Sequence, residues 1–98
     1  MLTCSQQIQD LDDLRQYVNE TLSHNHQLEP GAFAMTERIL IRGGRPCGLF
    51  FCLHGPRSVK LTAIWENEGD TILFYDSAGE RFGKTRLLAS PCLQLAAA

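Results

Sequence analysis

TERILIRGGRPCGLFFCLHGPRSVKLTAIWENEGDTILFY, residues 36–75, is the stretch on which the fold turns. Gly43-Gly44-Arg45-Pro46, Gly55-Pro56-Arg57-Ser58 and Asn67-Glu68-Gly69-Asp70 separate four runs rich in Ile, Leu, Phe, Val and Trp. Runs of that composition, bounded by Gly, Pro, Asn and Asp, read as strands joined by hairpins, so the stretch is a four-stranded antiparallel meander.

Closing each hairpin at its turn signal predicts a register. A first loop over 43–46 sets Leu40 opposite Leu49 and Ile39 opposite Phe50. A second loop over 55–58 sets Val59 opposite His54, Leu61 opposite Cys52 and Ala63 opposite Phe50, and a third turn at Glu68-Gly69 sets Trp65 opposite Ile72 and Ala63 opposite Phe74. Directly opposed residues share a face. The expected core face is then Ile39, Ile41, Phe50, Cys52, Val59, Leu61, Ala63, Trp65, Ile72 and Phe74. The second face carries Arg38, Leu40, Arg42, Leu49, Phe51, Leu53, Lys60, Thr62, Ile64, Leu73 and Tyr75.

Working outward, Leu11, Leu14, Val18 and Leu22 follow helical spacing, continued upstream by Ile8, with Asp10 as an N-cap oxygen and Asp12 and Asp13 at the positive end of the dipole. A helix over about 10–23 is expected to cover the core face, and the polar residues 1–9 are read as loosely ordered. Downstream, Asp76-Ser77-Ala78-Gly79-Glu80 reads as a hairpin with Gly79 in the left-handed region, bringing Phe82 opposite Phe74. A fifth strand over 81–87 follows, placing Arg81 on the second face, and residues 89–98 are read as a mobile tail. The fold class expected is α+β in one domain spanning 1–98, ordered over about 10–88: one N-terminal helix on a four- to five-stranded antiparallel meander, with a partly closed small barrel as its curled form. The order of one helix and five strands resembles Sm-like and SH3-like small barrels in architecture, with no motif that carries the resemblance to a family.

With 98 residues the chain has room for one core and little stability to spare for a deep catalytic cleft, so a non-enzymatic role is expected. Hydrophobic content of 44% and a formal net charge of −2 fit neither a disordered acidic chain nor a general polyanion binder. Charge is segregated, however: residues 1–31 hold five acids against Arg15 alone, whereas residues 36–62 hold Glu37 against Arg38, Arg42, Arg45, Arg57 and Lys60. No window approaches the roughly 18 apolar residues of a membrane span, and no secretory signal opens the chain, so a cytoplasmic protein with reduced thiols and no membrane partner is expected.

The second face is too apolar for water alone, which points to an interaction or assembly module that self-associates or binds a partner protein through Arg38, Leu40, Arg42, Phe51, Lys60, Ile64, Tyr75 and Arg81. The alternative on the same residues is single-stranded RNA, held by basic side chains on phosphates and by Phe51 and Tyr75 stacked on bases. A thiol or zinc site at Cys52 and His54 is the weaker third reading. The two share a face, but Cys47 lies an odd number of positions away, and a closed tetrahedral zinc site takes four convergent ligands. Gly83-Lys84-Thr85 ends like a phosphate-binding loop, but it lacks the motif's first glycine and falls within a strand. No cofactor and no catalytic set is assigned.

Overall fold

The computed structural model describes residues 2–6, 10–67 and 69–87, with side chains from residue 10 onward. The elements run β1 (Leu2–Gln6), α1 (Leu11–Asn25), β2 (Met35–Arg42), β3 (Arg45–His54), β4 (Lys60–Glu66), β5 (Thr71–Tyr75) and β6 (Arg81–Leu87). Strands β2 to β6 form the antiparallel meander, one α-helix packs on it, and the sheet stays open. The resemblance to small barrels therefore stops at helix plus meander. Residues 2–6, expected to be loose, instead extend the sheet as a sixth strand lying parallel to β6, from Leu2 opposite Gly83 to Gln6 opposite Leu87. That pairing joins the two ends of the described chain, which no periodicity in a polar five-residue segment announces. The expected tail over 89–98, and Ile8, expected to continue the helical spacing, lie outside the described residues.

Helix α1 forms where the capping signal places it. Asp10 is extended, and its carboxylate accepts the Asp13 N–H at 2.8 Å, satisfying one of the orphan donors of the first turn. The far end closes with a Schellman pattern, Leu28 N–H to Ser23 O at 2.8 Å and Gln27 N–H to His24 O at 3.2 Å, with Gln27 in the left-handed region at φ 56°. Leu11, Leu14, Val18 and Leu22 point into the sheet and are buried. Tyr17 adds an edge-to-face contact with Phe74, ring centroids 6.1 Å apart, and a 2.7 Å hydrogen bond between its hydroxyl and that of buried Thr85. On the helix flank Arg15 forms a two-point ion pair with Glu37 of β2, at 2.6 and 3.0 Å, and a third contact with Asp12 at 2.9 Å. The Glu37 hydrogen bond raises the Arg15 pKa above its ordinary value, with partial burial opposing. Both side chains remain about a third exposed, so the pair stabilises by at most about 1 kcal/mol.

The core between helix and sheet is completed by Leu49, Phe51 and Leu53 of β3, Leu61, Ala63 and Trp65 of β4, Ile72 and Phe74 of β5, and Leu87 of β6. Trp65, Phe51 and Phe74 are its largest members, each worth about 2–3 kcal/mol in surface removed from water.

Strands β4 and β5 keep the expected register, Ala63 opposite Phe74 and Trp65 opposite Ile72. Strand β3 is turned over relative to expectation, for two reasons. Its first hairpin closes on Gly43 and Gly44 alone, both at positive φ, so that Arg42 pairs with Arg45; a bulge at Cys47 then sets Leu40 opposite Gly48 and Ile39 opposite Leu49. Its second hairpin holds one residue more than expected, because Arg57 and Ser58 both adopt the left-handed region, and His54 therefore pairs with Lys60 and Phe51 with Ala63. The two one-residue shifts, one on each side of β3, together move β2 by two residues along β4 and so leave its facing unchanged, with Met35 and Ile39 packed against the core. Only β3 inverts: Phe51 is in the core and Phe50 and Cys52 are on the second face. Ile41 points to the helix side of the sheet but beyond the helix, and is 67% exposed.

The strand expected over 81–87 has those bounds. Asp76 organises the preceding turn, its Oδ1 accepting the N–H groups of Ala78 and Glu80 at 2.9 and 3.0 Å, with Gly79 at φ 82°. A second bulge, at Phe82, lets Tyr75 pair with Arg81 and Phe74 with Gly83 rather than with Phe82. Phe82 packs instead against the core beside Phe74, centroids 6.0 Å apart.

Candidate functional site: the open face of the sheet

Among the described residues, α1 is the one helix longer than a single turn, and it packs on one face of the sheet. The other face is built in cross-strand rows by the observed registers. One row runs Arg38, Phe50, Ile64, Leu73, Lys84 across β2 to β6. The next runs Thr36, Cys52, Thr62, Tyr75, Arg81, and the row on the other side runs Leu40, Gly48, Glu66, Thr71, Arg86. Phe50, Ile64 and Leu73 therefore form an apolar stripe across the three central strands, half-buried by their neighbours, while the residues beneath them in the core are fully buried.

Basic side chains border the stripe. Arg38 and Arg42 stand on β2, Lys60 opens β4, and Arg81, Lys84 and Arg86 stand on β6, all exposed. With exposed Arg45, which opposes Arg42 at the start of β3, they make seven of the nine Lys and Arg residues of the chain, and the alternation of each strand brings to this face a single carboxylate, Glu66. The helix side is the reverse: Asp12, Asp13 and Glu20 ride on α1, and Glu37 lies beneath its flank. A chain with net charge −2 is thus polarised across its thickness.

Of the residues expected on this face, Arg38, Leu40, Arg42, Lys60, Ile64, Tyr75 and Arg81 are there. Phe51 is not: it is fully buried under the helix, and the aromatic position belongs to Phe50. Leu49 and Leu53 move to the core with it. Sequence reasoning missed Phe50, Lys84 and Arg86. For the last two a signal existed, since Lys84 and Arg86 alternate with Gly83, Thr85 and Leu87 at period two.

Cys52, expected in the core, lies half-buried on the open face between Thr36 and Thr62. His54 shares that face and its Nε2 sits 3.1 Å from the Thr36 hydroxyl, while Cys47 occupies the bulge. Among the described residues no group of three or more His, Cys, Asp or Glu side chains is placed to hold a metal ion. Gly83, Lys84 and Thr85 lie within β6, with Thr85 buried, so their backbone does not form a phosphate-binding turn.

The described surface also carries concavities. A groove of about 510 Å³ follows α1 on the helix side, between Tyr17, Glu20, His24, Pro30 and Phe82. On the open face a depression of about 50 Å³ lies between Leu40, Arg42, Cys47 and Glu66, next to the bulge. No helix among the described residues is long and apolar enough to cross a membrane. Compared with known protein families, curated proteins and solved structures, the chain matches none.

Proposed function

We propose that this protein is a non-enzymatic interaction module that binds a partner protein through the open face of its sheet. The observation that carries the reading is the Phe50, Ile64, Leu73 stripe, an apolar row on three central strands that no described element covers. A partly exposed apolar row on adjacent strands, ringed by charge, is where this small domain offers a contact. Position-specific photocrosslinking tests it. A photoreactive phenylalanine analogue at Ile64 or Leu73 is expected to capture one discrete protein in cells, and the same analogue at Gln16, on the exposed side of α1, is not. Equal capture at all three positions, or none at Ile64 and Leu73, removes the basis of the reading.

The segregated charge favours a second reading, single-stranded nucleic acid, with Phe50 and Tyr75 as stacking rings and the basic side chains on phosphates. It predicts tight binding of an oligonucleotide at low salt that weakens steeply as salt is added.

Face-to-face association of two copies is disfavoured by the same charges. It would bring the basic borders of both protomers together around one central stripe, and like charges juxtaposed across an interface oppose it.

A further inference from the structure

Resting on the open-face reading, we infer that the partner segment is acidic and amphipathic, with three apolar side chains in a line and carboxylates one helical turn beyond each end. The argument is one of spacing and sign. Phe50, Ile64 and Leu73 occupy adjacent strands in one row, so the stripe spans two inter-strand steps, about 10 Å. In the same row the stripe is flanked by Arg38 on one side and Lys84 on the other, four steps apart, about 19 Å.

A helix presents apolar residues at i, i+3 or i+4, and i+7 over about 10.5 Å of its axis, and one more turn at each end adds about 5.4 Å. Laid along the row, such a helix sets its three apolar residues on the stripe and brings acidic residues at its ends toward Arg38 and Lys84. The remaining bases of β2 and β6 flank it. Two of the three stripe residues are aliphatic, and aliphatic side chains accept apolar partners but offer no ring for a base to stack on. The chain's own acidic surface does not supply the match. The exposed side of α1 carries Asp12, Asp13, Gln16 and Glu20 without an apolar line among them, so a second copy offers the charge but not the stripe.

The test uses the intact protein and three probes in fluorescence anisotropy: a helix-forming peptide of about 15 residues with Leu at i, i+4 and i+7 and Glu at its ends and flanks, the same peptide with Lys for every Glu, and a single-stranded oligouridine. Saturable binding of the acidic peptide, with the basic peptide at least about tenfold weaker, is expected. The double variant Arg38→Glu with Lys84→Glu is expected to narrow or reverse that preference. Ile64→Ser is expected to weaken the acidic peptide without changing its preference over the basic one, and circular dichroism confirms that each variant is folded. Equal binding of both peptides, or a preference that survives the double charge reversal, overturns the inference about partner charge. Tighter binding of the oligonucleotide than of either peptide, lost in Ile64→Ser, overturns it in favour of nucleic acid while leaving the face as the site. Binding that is indifferent to Ile64→Ser overturns the open-face reading itself.

Discussion

The two faces of this sheet are built from the same residue types by the same strands, yet one is a core and the other a surface. Under α1, Phe51, Trp65 and Phe74 are fully buried, and Arg15 at the margin is ion-paired with Glu37 and Asp12. On the reverse, Phe50, Ile64 and Leu73 are half-buried, and basic side chains surround them. What separates the faces is the covering helix and the sign of the charges at their borders, not hydrophobicity as such. On the reading proposed above, an apolar row with a mostly basic border is a surface that meets a partner of the opposite sign. A core row has no such border.

That contrast can be broken most severely at Gly48, which sits next to the bulge that sets the orientation of β3. A Cβ there would run into the backbone carbonyl of Trp65 on the facing strand, and backbone atoms cannot swing aside as a flexible side chain can. Gly48→Ala is expected to destabilise the protein by about 3 kcal/mol, read as a lowered urea midpoint, and to disturb both faces together. A midpoint within error of the wild type would show that β3 does not approach β4 so closely. A smaller effect tests the cover alone. Tyr17→Phe removes the hydroxyl contact with Thr85 while keeping the ring on Phe74, and is expected to cost about 1 kcal/mol in thermal or urea unfolding. Ligand binding at the open face should be untouched, because Tyr17 lies on the other side of the sheet. A change in affinity comparable to that of Ile64→Ser would mean that the two faces are not independent.

Much of the fold was legible because local signals agreed with it. Asp10 and Asp13 announced the cap, the spacing of Leu11, Leu14, Val18 and Leu22 announced the buried stripe, and Gly79 announced the last turn. The register of β4 on β5 could be read because the four-residue turn signal between Glu66 and Thr71 fixes which residues oppose, Ala63 with Phe74 and Trp65 with Ile72. Strand β3 could not. Leu49-Phe50-Phe51-Cys52-Leu53 is apolar at every position, so either orientation offers an apolar face and periodicity is silent. The hairpins that decide it depend on a bulge at Cys47 and on left-handed Arg57 and Ser58, residues whose type does not signal that conformation. Strand β1 was invisible for a different reason: a short edge strand held by a distant partner carries its stability in backbone pairing, which composition does not record. Of the candidate site, the basic positions on β2 and β4 were legible from alternation. The aromatic position was displaced by one residue with β3.

The orientation of β3 is therefore the claim on which both the core and the site rest, and equilibrium urea unfolding of Phe50→Ala and Phe51→Ala side by side tests it most directly. With Phe51 fully buried under the helix and Phe50 on the open face, Phe51→Ala is expected to cost about 3–5 kcal/mol and Phe50→Ala about 1 kcal/mol, with similar denaturant slopes. Equal costs, or the larger loss at Phe50, would contradict the orientation and return Phe51 to the open face.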